Sequence, residues 1–399
     1  MDLFQPRPLE WVVYHGVIAF ARATGCWKYP IDASGDFERM RLKDKIYWFY
    51  KAQFPVELPP RGSGLEQYFQ HQQCEPSVPA GFRSDAILRL HAAGDLMNHP
   101  YLRNSHGYLY EKVCGSVFGA DLVIANLECV VDPAASASFE MRSKTAPALC
   151  YDEADFKAAQ GADGRRYSLM SLANNHILDR GEAGVARTVD ILRTHDVGFA
   201  GVNETEERAA TAPIVETKGF RIGVISHTFG LNGKEPPADK PWLVNRTALN
   251  RPCKHVDFSL MQGQIDDCRR KRTDAVVALL HWGMEHEYYP RCDQLDVAHQ
   301  IAEIGADLVI GHHPHVVQPV EYYRTKRDPT RVVPIYYSLG NLITPFLHPA
   351  FRRSALARVT LARGTLADGS QRTYVTDAGV MELLQDIDTE RRRLRLLVA

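Results

Sequence analysis

Apolar residues in this chain gather in short unbroken runs, and each run stops on a polar, chemically capable side chain. Residues 87–94 lead into Asp95, and residues 121–127 lead into Glu128. Residues 167–173 lead into Asn174, Asn175 and His176, and residues 274–280 into His281. Residues 306–310 lead into Gly311, His312, His313, Pro314 and His315. Apolar runs of this length predict strands buried on both faces. Between them, residues 181–193 and 294–304 place apolar side chains at helical spacing. Strand–helix alternation from about 85 to 345 predicts an α/β fold with sheets flanked by helices. The tail from Leu356 onward reads as antiparallel strands that close one sheet. Two long irregular stretches, 132–150 and 229–252, are the expected lids of a site.

Residues 1–83 precede the first of these endings and are rich in aromatics: Trp11, Tyr14, Trp27, Tyr29, Tyr47, Trp48, Phe49 and Tyr50. Residues 11–21 predict an amphipathic helix, 43–52 a second helix, and the Pro- and Gly-rich 55–64 a linker or wrapped arm. The expected division is a helical N-terminal arm over 1–83 and a catalytic domain over 84–399. The aromatics either dock the arm or line a pocket for an aromatic or peptide substrate.

In open α/β sheets, function gathers beyond the carboxyl ends of the strands. Asp, Glu, Asn, His and His-x-His at five such ends make a metal-binding set. Neutral imidazole is the commonest metal ligand and is costly to bury without a partner. His313 and His315 project to the same side if strand geometry continues through them. His281 taken alone reads as a satisfied core histidine; the set as a whole does not read that way.

The ordered motifs Gly94-Asp95-Leu96-Met97, Asn126-Leu127-Glu128, Ala173-Asn174-Asn175-His176 with Asp179 and Gly181, His281-Trp282-Gly283-Met284-Glu285, His313-Pro314-His315-Val316 with Gln318, and Ser338-Leu339-Gly340-Asn341 resemble the CapA proteins. These are named for bacterial poly-γ-glutamate capsule synthesis and have the calcineurin-like metallophosphatase fold. The likeness covers roughly residues 85 to 350 and implies a four-layer αββα sandwich. It implies Asp95, Glu128, Asn175, His281, His313 and His315 as ligands, with Glu128 in the bridging place. The cofactor would be one or two divalent ions, with Ca²⁺, Mg²⁺, Mn²⁺ and Zn²⁺ all open. His176 becomes the general acid/base, and Asp179 either fixes its tautomer or caps the helix that follows. His281 or His313 would supply a second base, while Glu285, Gln318 and Asn341 would orient ligands or substrate. One departure stands out. The superfamily opens with Asp-x-His, whereas this chain has Asp95-Leu96-Met97, which weakens the case for two tightly held transition metals and leaves imidazoles for proton transfer.

Composition narrows the classes. A net charge of -1 supplies no field for nucleic acid. No run approaches the roughly 18–20 apolar residues of a membrane span, so no membrane insertion is expected. The start Met1-Asp2-Leu3-Phe4 lacks the basic region of a signal peptide. Eight cysteines without a Cys-x-x-Cys pair suit free thiols, so the expected location is the cytoplasm. Three functions compete. The first is a metal-dependent enzyme acting on a peptide by His/Asp acid–base chemistry, with epimerisation at a peptide Cα foremost, as in CapA-like proteins of lasso-peptide and related natural-product (RiPP) pathways. The second is a phosphoester or amide hydrolase. The third is an accessory protein of poly-γ-glutamate capsule biosynthesis. Fold alone does not choose among them.

Overall fold

The alternation of side chains along each strand divides the apolar runs between three cores. In Arg83–Leu96 and Leu122–Leu127, Leu88, Leu90, Ala92, Leu122 and Ile124 face inward, while Val123, Ala125 and Leu127 face outward. In Ala275–His281, Val277 and Leu279 meet that same inner core, while Val276, Ala278 and Leu280 face the opposite way. Both faces of each strand are therefore covered, which is why these stretches read as continuous rather than alternating. The computed structural model describes residues 8–24, 40–72, 74–134, 138–140, 148–346 and 348–399. Trp27 and Tyr29 lie outside the described residues, as do the side chains of Trp11 and Tyr14.

One sheet runs in the order Arg393–Val398, Gln371–Asp388, Arg353–Thr365, Arg83–Leu96, Leu122–Leu127, Leu169–Ser171, Gly198–Ala200, and Asn341–Ile343 pairs beside the end of Arg83–Leu96. Its last four members are parallel, and the tail strands are antiparallel as expected. The other sheet runs Ile214–Thr217, Phe220–Thr228, Ala275–His281, Leu308–His312, Val332–Tyr336, Val320–Arg324, with four parallel strands at its centre. Gly181–Thr194 covers the first sheet through Val185, Val189 and Leu192. Ser259–Arg270 and Cys292–Ile304 cover the second through Met261, Ile265, Val297 and Ile301. The result is the αββα sandwich.

The first sheet is stitched tightly at the site end. A Cβ on Gly94 would lie 2.1 Å from the Gly340 carbonyl oxygen, which accepts from the Asp95 N–H at 2.9 Å. Only a residue without a side chain permits this approach.

The arm forms helices Pro8–Thr24 and Leu42–Gln53, which pack on each other through Ile18, Ala21 and Tyr50. Residues 57–64 carry no regular structure before the short helix Leu65–Gln70, whose Leu65 joins the outer core of the second sheet. Among the described residues, no helix is long and apolar enough to cross a membrane.

Candidate metal centre

The strand ends converge. Asp95, Glu128, Asn175, His281, His313 and His315 are all buried, none more than 2% exposed. Asp95 Oδ1 accepts from Asn126 Nδ2 at 2.8 Å and lies 2.9 Å from His312 Nδ1. Its Oδ2 accepts from the His313 backbone N–H at 3.2 Å and stands 3.6 Å from His315 Nδ1. His281 Nε2 lies 3.0 Å from Asn175 Oδ1 and 3.5 Å from Glu128 Oε1, and His315 Nε2 lies 3.8 Å from that same oxygen. Two sets of side chains bring ligand atoms within 4.8 Å of one another: Asp95, Glu128 and His281, and Glu128, His313 and His315. Glu128 belongs to both.

The two imidazoles of the His-x-His pair converge for a different reason from the one expected. The strand Leu308–His312 stops before them, and His313 and His315 adopt φ of 96° and 59°. Left-handed backbone at non-glycine residues costs of order 1–3 kcal/mol each and gathers at functional sites. It turns both rings toward Glu128 where an extended strand would not.

The polar inventory fits a divalent cation. Both oxygens of Glu128 and both ring nitrogens of His313 are buried without a hydrogen-bond partner. Each such atom costs about 1–3 kcal/mol if left that way. Burial, then the charge of Asp95, pushes Glu128 well above the usual carboxylate range. Burial opposes ionisation of Asp95 too, but hydrogen bonds and charge from His312 and His315 hold it well below its ordinary value. Burial also drives His281 and His313 well down, toward the neutral form that binds metal. A mixture of carboxylate, amide oxygen and imidazole suits Mn²⁺ or Zn²⁺, and its oxygen share suits Ca²⁺ or Mg²⁺. Met97, in the place of the superfamily histidine, is buried in the outer core of the first sheet.

Beside this centre His176 Nδ1 lies 2.8 Å from Asp179 Oδ2. Asp179 also accepts from the Leu149 N–H at 2.7 Å and pairs with the Lys234 ammonium. Burial works against its ionisation, but His176 and Lys234 prevail and lower it. The capping alternative does not describe it: Arg180 holds the N-cap position, and the Asp179 side chain turns to His176 instead. The 229–252 stretch folds over the centre. Phe229 stacks on His281 and sits 4.7 Å from the His313 ring, and Asn232 accepts from Asn175 at 3.3 Å. Residues 135–137 and 141–147 of the other expected lid lie outside the described residues.

Of the residues expected to face substrate, Asn341 and Gln318 are buried and act inside the protein. Asn341 Oδ1 takes the His315 Nδ1 proton at 2.9 Å while its Nδ2 donates to the His315 and Phe351 carbonyls. That turns His315 Nε2 toward Glu128, the usual way a neighbouring group orients a ligand. Gln318 Nε2 donates to the Glu287 carbonyl at 2.7 Å. Glu285 stands at the rim, with Oε1 4.0 Å from His315 Nε2 and Oε2 accepting from the Trp48 indole N–H. Burial raises its carboxyl.

His312, His286 and His99 are all buried. His312 lies against Asp95, and burial brings His99 down to about 4. Sequence reasoning quoted Asn126 in the motif that ends on Glu128 but gave it no role, whereas its amide holds Asp95. Lys234 carries no local signal that would have singled it out, and Trp48 was noted only as one of the arm's aromatics.

An αββα sandwich with carboxylate and imidazole side chains gathered at its strand ends is the architecture of the calcineurin-like metallophosphatase fold. Residues 89–345 match the family described as bacterial capsule synthesis protein PGA_cap, and the chain belongs to that family. It is 25% identical to the capsule biosynthesis protein CapA of Bacillus anthracis, over 68% of this chain and 63% of that one. It is likewise 25% identical to the PGA biosynthesis protein CapA of Bacillus subtilis (strain 168), over 65% and 64%. A probable polyglutamine synthesis accessory protein of Mycobacterium tuberculosis is 27% identical over 47% of this chain and 49% of its own length. The chain thus spans less than two thirds of the length of these relatives.

Proposed function

We propose that this chain is a metal-dependent accessory enzyme of poly-γ-glutamate assembly, acting on the amide backbone of a glutamate polymer. The family's description as a capsule synthesis protein and the name of the Bacillus subtilis relative, a PGA biosynthesis protein, support the polymer. The observation that carries the chemistry is the sharing of Glu128 between two clusters of buried ligand atoms. Asp95, Glu128, Asn175, His281, His313 and His315 would hold a divalent ion, which when bound would polarise an amide or carboxylate oxygen. The chain's own residues do the rest. His176 exchanges a proton at Nε2, because Asp179 fixes the other ring nitrogen, and Lys234 with the Leu149 N–H keeps Asp179 ionised and in place. Phe229 shields the imidazoles of His281 and His313 from water.

A second reading, epimerisation at a peptide Cα, is favoured by the bare His313 ring, which with His176 would give two bases. One experiment separates the two. Purified protein loaded in turn with Mn²⁺, Zn²⁺ and Ca²⁺ is incubated with poly-γ-glutamate, and chain length is followed by size-exclusion chromatography. Parallel samples of polymer and short peptides in D₂O are checked for deuterium at Cα. Metal-dependent shortening lost in His176→Ala supports the first reading. Deuterium uptake with inverted configuration and no shortening moves the assignment to the second. Neither change in metal-loaded protein removes both.

A further inference from the structure

The arm is joined to the rest of the molecule in an unusual way. Helices Pro8–Thr24 and Leu42–Gln53 have a small apolar cluster of their own (Ile18, Ala21, Tyr50), distinct from the three cores of the sandwich. Among the described residues, much of their polar hold on the domain falls on the stretch 285–288, with Arg291 beside Tyr47 and the Trp48 ring 6.1 Å from that of His286. Trp48 donates to Glu285, while the Tyr47 hydroxyl and the Lys51 ammonium each lie 2.9 Å from Glu287 Oε1. The Val56 N–H donates to the His286 carbonyl at 2.8 Å, and the Tyr288 N–H to the Val56 carbonyl at 2.9 Å. That stretch is the rim of the metal centre, since Glu285 faces His315.

We propose that these two helices form a flap that closes the metal centre and swings on residues 57–64. The hinge has the right makeup. Gly62 and Gly64 hold φ of 79° and 72°, and a Cβ at either would meet nothing within 4 Å. Glycine serves the backbone there, not a tight fit. Just beyond, Leu65 is buried in the outer core of the second sheet and Tyr68 bonds Glu321, so motion ends at a fixed anchor. The latch is suited to reversal. Lys51 and Glu287, 2% and 1% exposed, are charged groups whose rehydration on opening offsets much of the attraction lost. In this position Trp48 and Glu285 close the rim beside the buried His315, so lifting the helices would widen the approach from that side. This inference does not depend on which bond the centre acts upon.

The test is hydrogen exchange read by mass spectrometry on the full chain, with and without Zn²⁺, alongside the rate at which a chelator strips bound Zn²⁺. Amides of Leu42–Gln53 and of Tyr288 should exchange together, about tenfold or more faster than those of Ala275–His281. Lys51→Met should speed both flap exchange and stripping by about tenfold while leaving the strand unchanged. Trp48→Phe, which keeps the bulk and removes the donor to Glu285, should act in the same direction and serves if the first variant folds poorly. Flap amides that exchange only with the strand, or variants that leave both rates unchanged, would overturn the proposal.

Discussion

Glu128 Oε1 stands 3.5 Å from His281 Nε2, yet neither oxygen of Glu128 takes part in a hydrogen bond. A buried carboxylate in that position keeps its proton until a cation arrives. Cation binding should therefore release a proton, and affinity should climb with pH through the raised titration of Glu128. Calorimetry in buffers of different ionisation enthalpy reads both effects. Glu128→Gln should weaken binding more than about tenfold, or ~1.4 kcal/mol. A pH-independent affinity would contradict this account.

The same carboxyl sets a stability trend in metal-free protein. Its folded titration lies above the unfolded value, so its contribution is fully present below that value and is lost as pH rises through the folded one. Glu128→Gln, unable to ionise, should melt higher than wild type near neutral pH in the presence of a chelator. A lower melting temperature would count against a protonated Glu128.

Asp179→Asn preserves shape while removing the charge that holds the His176 tautomer. Turnover should fall about 10²–10⁴-fold with metal content unchanged. Lys234→Met should cost less, because the Leu149 N–H still holds Asp179. Rates and metal content measured on the same samples decide this.

Asn341→Ala removes the acceptor that turns His315 Nε2 toward Glu128. Loss of such a partner lowers metal affinity about 10–100-fold. Competition with a fluorescent chelator measures it, and an unchanged affinity would mean that His315 is not a ligand.

Burial opposes ionisation of Glu287, but Lys51 and Arg291 bring it down to about 2. A depressed folded value gives stability that is present above the unfolded value and lost as pH falls toward the folded one, amounting to about 3 kcal/mol here. The hold on Leu42–Gln53 should therefore weaken between about pH 4 and pH 2. Trp48 fluorescence, with Trp48→Phe as the blank, should report the change before the sandwich unfolds.

The apolar runs made the strands legible because a strand covered on both faces leaves no other pattern. The residues that end them were legible because chemistry there has no packing excuse. Convergence of His313 and His315 was readable, but its cause was not, since a left-handed turn at histidine leaves no trace in composition. Lys234 reaches the site from a long loop and Trp48 from a helix of the arm, and in both cases the partner is chosen by tertiary contact rather than by local spacing. Asn341 and Gln318 were noticed, but whether they orient ligands or touch substrate depended on burial that a sequence does not display.

The contact between Gly94 and Gly340 also bears on how the molecule is made. Arg83–Leu96 sits mid-sheet, with one flank meeting Arg353–Thr365 and its end meeting Asn341–Ile343. At about 5–20 residues per second, a ribosome exposes that greasy strand many seconds before either neighbour exists. Nascent chains halted short of residue 340 should accordingly depend on holding chaperones and precipitate without them, whatever the completed protein's equilibrium stability.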